Sequence, residues 1–363
     1  MKKATVSILL LFILTAFNTS AQLLKDTVTL RMMCSGVDLI YNMQFDEART
    51  IYKRIVAKYP EHPVLYVYKG LMMYWEHFPI TPYSPEKESF EKEMLRAIED
   101  IEKRPDHESD PELLLGNISA RGLLLLFYAD NDLTRDVISM ASSTYQYVKE
   151  AFNHTNSYAD FYFITGLYNY YREAYPEAHP VYKPIAMLFP KGDKTKGLRE
   201  IQIASKEAIV LKAEAYSFLS GIYISFENNF QQAYKFSKAL HDLYPKNMQY
   251  LAMYVKNLLL VKRYSEAENL VKANMDKNPN RFFQAQLSIL NGIVLEKLHH
   301  NNKQAEYYYE KGIRDIESYG TFGNEYAAYA YHGLSRLTSD KHQKKTYRKK
   351  ALDLSDFENV NFD

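Results

Sequence analysis

Apolar residues recur along much of this chain at intervals of three and four, the pattern of helices that bury one face. Phe45, Ala48, Ile51, Tyr52 and Ile55 form one such stripe. Phe230, Ala233, Phe236 and Leu240 form a second, and Tyr264, Ala267, Leu270 and Val271 a third. Turn-forming residues lie between the stripes, as in Tyr59-Pro60-Glu61-His62-Pro63 and Asn228-Asn229. Further helices are predicted from Ser89 to Lys103, over 112–128 and 133–152, and from Phe161 through Tyr171. Asp110-Pro111 reads as a helix start, since an aspartate can cap the free amides and proline fits the first turn. Residues 281–316 and 323–353 read as two more helix pairs. The chain is therefore expected to be all-α.

A longer period is superposed on the helical one. Gly36, Ala48 and Pro60 are spaced by 12 residues, and so are Gly221, Ala233 and Pro245. Ala267 and Pro279 follow Ala233 and Pro245 by 34 residues, and Gly70 follows Gly36 by 34. Small residues are wanted where two antiparallel helices press closest, and proline ends the second helix because it cannot donate and clashes with the preceding turn. On these landmarks, segments 29–75 and 214–280 resemble tetratricopeptide repeats (TPR), helix-turn-helix units of about 34 residues. Tyr66 fits the family's large aromatic near the start of the first helix, whereas Met32, Ser217 and Leu251 depart from it, and Val255 stands in place of a glycine. Residues 281–316 fit with a one-residue slip through Gly292 and Ala305, and 323–353 through Gly333. The resemblance implies a right-handed helical solenoid of six or seven antiparallel pairs, closed by the polar helix Lys341–Lys350 as a cap.

The middle of the chain is less regular. Pro79, Pro82 and Pro85 interrupt the second unit. Pro176, Pro180, Pro184 and Pro190 exclude one continuous helix there. This proline-rich connection, 176–197, is expected to separate N-terminal repeats (22–175) from C-terminal repeats (198–363).

The first 21 residues change the picture of where the protein works. Lys2 and Lys3 precede an apolar run from Val6 to Phe17, followed by Thr19-Ser20-Ala21. That is the layout of a cleaved secretory signal peptide, and the run is too short to span a bilayer, which takes roughly 20 apolar residues. The protein is expected to be exported, periplasmic or secreted, and in some association with the outer membrane. No later stretch reads as a transmembrane segment. Losing the leader takes the formal charge from +1 to −1, which gives no electrostatic case for nucleic acid. Cys34 is the single cysteine, so no internal disulfide forms, and it reads as a small buried side chain.

No constellation for chemistry emerges. Neither a phosphate loop nor a nucleophile elbow is present. His299 and His300 point to different helix faces and read as a solvated turn. Glu86, Glu88, Glu91 and Glu93 alternate with lysines as an exposed face would. No catalytic residue, metal or cofactor is assigned, and the chain is not expected to be an enzyme. The TPR resemblance implies instead a concave groove lined by the first helix of each pair. By repeat position its candidate partner-binding residues are Tyr41, Val67, Leu71, Tyr74 and Trp75 in the first group, with Phe218 and Phe226 in the second. Lys256 and Leu259 fall on the same surface. Tyr74 and Trp75 are the natural anchors, unless they pack under the proline loop at 76–88. The expected function is a scaffold or adaptor for a protein or peptide partner, with a glycan or small ligand as the alternative.

Overall fold

The computed structural model describes residues 23–277, 279–355, 360 and 362. The leader reading, residues 1–21, lies outside them. The described residues form 17 α-helices and two short 3-10 turns, without a strand.

Sixteen of the helices make eight antiparallel hairpins. The pairs are α1 (Thr27–Tyr41) with α2 (Phe45–Lys58), α3 (Val64–Glu76) with α4 (Lys87–Glu102), and α5 (Pro111–Asp130) with α6 (Thr134–Ala151). Next, α7 (Asp160–Ala178) pairs with α9 (Lys194–Glu207), and the one-turn α8 (Lys183–Ala186) lies between them. Then come α10 (Lys212–Ser225) with α11 (Phe230–Leu243) and α12 (Met248–Leu260) with α13 (Tyr264–Asn274). The last two are α14 (Arg281–Lys297) with α15 (Asn302–Ile316), and α16 (Thr321–Leu337) with α17 (Lys341–Leu354).

The hairpin missing from the sequence count is α7/α9. The proline-rich stretch does not separate two groups of repeats; it is the internal loop of this pair. Gly166 and Gly197 cross back to back: a Cβ on Gly197 would come within 2.7 Å of the Gly166 carbonyl oxygen. Asp160 ties the hairpin to the next one, because its carboxylate accepts from the amides of Ile209, Val210 and Leu211 at 2.8–2.9 Å.

Helix starts follow from local chemistry. Asp26, Asp110, Asp193, Asn229, Asn247, Asn280, Asn301 and Asp340 each accept from a backbone amide of the helix they open. The periodic alanines Ala48, Ala233, Ala267 and Ala305 are all fully buried. The close-packing argument holds at Gly36, where the Tyr68 ring fills the space and its hydroxyl donates to the Ala48 carbonyl at 3.0 Å. It holds again at Gly292 and Gly333, which grip the Tyr309 ring from two sides. It fails at Gly221, where an added Cβ meets nothing within 4 Å.

The first helix of a pair is the more deeply buried one. In α5, Leu113, Leu114, Leu115, Leu124 and Phe127 are all closed off from solvent. Contrary to the sequence reading, α5 is long and apolar enough to cross a membrane. Its most apolar window is 61% buried inside the protein, however, and it carries buried Glu112, Asn117 and Arg121, as a core helix can when these are paired. Glu112 accepts from the amides of Leu23 and Leu24 at 3.0 and 2.8 Å, and pairs with His62 at 3.1 Å. His62, from the turn after α2, is thus part of the clasp that holds Leu23 and Leu24.

Candidate functional site

The ends of the first helices in the N-terminal hairpins meet the starts of the first helices in the C-terminal hairpins. At α1, the Asn247 side chain donates to the Tyr41 carbonyl at 2.8 Å, and the Lys246 amide donates to Asn42 Oδ1 at 3.0 Å. Beyond α3, Asn280 donates to the Phe78 carbonyl at 2.8 Å. At the end of α5, the Thr321 hydroxyl donates to the Asp130 carbonyl. The contacts to Tyr41, Phe78 and Asp130 each satisfy a backbone carbonyl that a helix end or turn leaves open. Asn247 and Asn280 do two jobs at once, since each also caps the helix it opens.

Aromatic rings fill the seam between these contacts. Trp75 stands 6.0 Å from Tyr41, 5.8 Å from Tyr74 and 5.2 Å from Tyr250, ring centre to ring centre, and stacks on Phe78 at 5.4 Å. Phe78 in turn meets Phe282, Phe283 and Phe322 at 5.5–6.0 Å. The groove positions Tyr41, Val67, Leu71 and Tyr74 are all buried, and Trp75 is half-buried. Tyr41 and Trp75 face the chain's own second half, at Tyr244 and Tyr250, while Tyr74 packs on Phe90 and reaches Asp130. Phe218 on α10 and Phe226, the residue just after it, are half-buried. They pack on α7, Phe218 against Phe163 at 5.4 Å and Phe226 against Tyr171 at 5.5 Å. The structure therefore brings Tyr41 against Tyr244 and Trp75 against Tyr250, and sets Phe218 and Phe226 apart from them, against α7.

Two carboxyls in the seam have shifted acidities, and neither stood out in the sequence. Glu214, in the first turn of α10, accepts from the Tyr41 hydroxyl, and its Oε2 is buried with no hydrogen-bond partner. Burial pushes it up to about 7, and the Tyr41 hydroxyl opposes part of that rise. Asp130 is likewise pushed up to about 7 by burial, against the Tyr74 hydroxyl that donates to it at 3.3 Å. A lone glutamate between Ala213 and Ala215 at a helix start looks like ordinary helix-dipole chemistry, so the sequence carried no signal for it. The asparagines were legible in part: Asn247 and Asn280 both follow a helix-ending proline, at Pro245 and Pro279.

A second polar group joins α12 to α16. Lys256 on α12 reaches Glu325 on α16 at 2.8 Å, and the Tyr329 hydroxyl donates to the same oxygen. Glu325 keeps 50% of its side-chain surface open to solvent, while Lys256 and Tyr329 beside it are buried. Burial alone would raise its pKa; the Lys256 ammonium and the Tyr329 hydroxyl override that and leave it below the usual glutamate value. Val360 and Phe362 of the C-terminal tail are buried, and the Phe362 ring stands edge-on to Tyr329 at 5.1 Å.

The remaining candidates for chemistry are engaged or scattered. Cys34 is half-buried, and burial raises its thiol pKa away from reactivity. His299 does not stand free in a turn: its Nε2 lies 2.6 Å from Glu268. Among the described residues no group of three or more histidine, cysteine or carboxylate side chains is placed to hold a metal ion.

No known family model matches this chain, and no characterised protein matches it significantly.

Proposed function

We propose that this chain is an exported, non-catalytic binding protein of TPR-like type, a right-handed solenoid of helix pairs whose two halves close on each other. Its ligand is an extended protein or peptide segment laid along the inner surface of the C-terminal hairpins. The first-group positions Tyr41, Val67, Leu71, Tyr74 and Trp75 are committed to internal packing, which leaves the half-open Glu325 carboxylate, with Lys256 and Tyr329 beside it, as the ligand surface.

One observation carries this reading: the chain's own tail already uses that surface. Phe362 seats its ring on Tyr329, beside the Lys256–Glu325 pair. A surface that accepts an aromatic anchor next to a fixed charge pair supplies both burial and orientation for a peptide.

The test is fluorescence polarisation with a labelled peptide of sequence Ser355–Asp363. The Phe362→Ala chain, with its own anchor removed, is expected to bind the peptide more tightly than wild type. Adding Tyr329→Ala should abolish that binding. If neither chain takes up the peptide, the groove reading is wrong.

A further inference from the structure

The loop inside the α7/α9 hairpin is not used by the peptide surface. Thirteen large apolar side chains stand out as exposed among the described residues, and six of them fall between Tyr175 and Leu188. The others are scattered, as is normal on any surface. At the tip, Val181 is 78% exposed, Ile185 55%, and Met187 and Leu188 80% each.

This loop is held firmly at its base. The Tyr168 hydroxyl donates to the Pro190 carbonyl at 2.7 Å, and the Arg172 guanidinium donates twice to the Phe189 carbonyl at 3.2 and 3.0 Å. Glu173 accepts from the Gly192 amide at 2.9 Å, and Lys194 pairs with Glu177 at 2.9 Å. Gly192 lies so close to α7 that a Cβ would come within 2.3 Å of the Asn169 carbonyl oxygen. The Phe189 ring is set edge-on against Tyr145 at 4.7 Å. A base this well tied holds bare apolar side chains out in water, a costly arrangement unless something covers them.

The charge pattern says what covers them. From Ala178 to Gly192 there is no acidic residue, while Lys183 and Lys191 are both exposed. The acids that flank this stretch are both engaged at the base: Glu177 pairs with Lys194, and Asp193 caps α9 by accepting from the Lys196 amide. Flexible aliphatic side chains at the tip, tyrosines beside them and lysines set to either side suit the boundary between acyl chains and anionic headgroups.

We propose that this loop is a lipid-docking tip that places Val181, Ile185, Met187 and Leu188 into the surface of an anionic bilayer. It needs none of the residues of the peptide groove, so either reading can fail alone.

The experiment is co-sedimentation of the protein, purified as its cell processes it, with vesicles of equal phosphatidylcholine and phosphatidylglycerol and with pure phosphatidylcholine vesicles. The protein should pellet with the anionic vesicles and much less with the neutral ones. Met187→Asp with Leu188→Asp should weaken that binding about tenfold or more, since apolar burial is replaced by charge. Lys183→Glu with Lys191→Glu should remove the preference for anionic lipid. All these positions are exposed, so folding should be kept, and Leu188→Trp gives an independent check. The indole emission of that variant should shift to the blue and be quenched by brominated lipid. Failure of the protein to bind vesicles, equal binding by the double-aspartate variant, equal binding to neutral vesicles, or unquenched emission from the Leu188→Trp variant would each overturn the proposal. Loop-dependent capture of another protein without vesicle binding would also overturn it, in favour of a protein docking loop.

Discussion

Replacing Glu214 with glutamine tests whether the seam between the two halves carries a protonated carboxyl. Glu214 is raised from the ordinary value of 4.5 to about 7. The folded chain therefore holds its proton more tightly than the unfolded chain. The stability this gives is complete below about pH 4.5 and is lost as the pH rises through about 7. A shift of this size corresponds to about 3 kcal/mol, of which about 2–3 kcal/mol is lost between pH 5 and pH 8. Glutamine has nearly the same shape, can accept from Tyr41 and does not titrate. Glu214→Gln should match wild type near pH 5 and be the more stable chain by about 2–3 kcal/mol near pH 8. Urea unfolding across that range, followed by circular dichroism, measures the difference. If wild type and variant lose stability with the same slope, Glu214 is not the group that holds the proton, and the account of the seam fails.

Other outcomes follow from single contacts. Asn247→Ala removes both a helix cap and the donor to the Tyr41 carbonyl, and should cost about 2–3 kcal/mol. Asn301→Ala, which removes a cap outside the seam, should cost only about 1 kcal/mol in the same assay. Gly333→Ala would push a Cβ to within 2.3 Å of the Tyr309 ring and should destabilise by about 1–3 kcal/mol. Gly221→Ala meets no neighbour within 4 Å and should be neutral or stabilising by up to about 1 kcal/mol, as expected for a helix interior. Lys256→Met should raise the pKa of Glu325, because only the Tyr329 hydroxyl is then left to oppose burial; carboxyl NMR titration would show the rise.

The all-helical fold was legible because one-faced apolar stripes and turn residues are local signals. Ala48, Ala233, Ala267 and Ala305 were placed at helix interfaces from spacing alone, and all four are fully buried. Gly221 shared the spacing of Gly36, yet nothing presses on it. A period marks where contact is expected, not that it is made. The α7/α9 hairpin was missed because prolines break a helix in sequence but do not prevent its two neighbours from packing across the loop. Tyr41 and Trp75 were placed on a partner-binding groove by repeat position, but nothing local shows that Tyr250, some 200 residues away from Tyr41, packs against Trp75. The seam is made by contacts between residues far apart in sequence. Glu214 is made a weaker acid by burial in that seam, so it could not be found before those residues were brought together.

The helix-end contacts made by Asn247, Asn280 and Thr321 have a consequence for how such a chain can change over generations. An open array of repeats can gain or lose a unit at little cost, since each unit touches only its neighbours. Here three helix ends in one half are matched to three helix starts in the other. Duplicating or deleting one hairpin would shift every later match out of step, leaving carbonyls stranded and aromatic rings unpaired. The number of hairpins is thereby locked, and variation is confined to places such as the α7/α9 loop, where length and composition can change without disturbing the match.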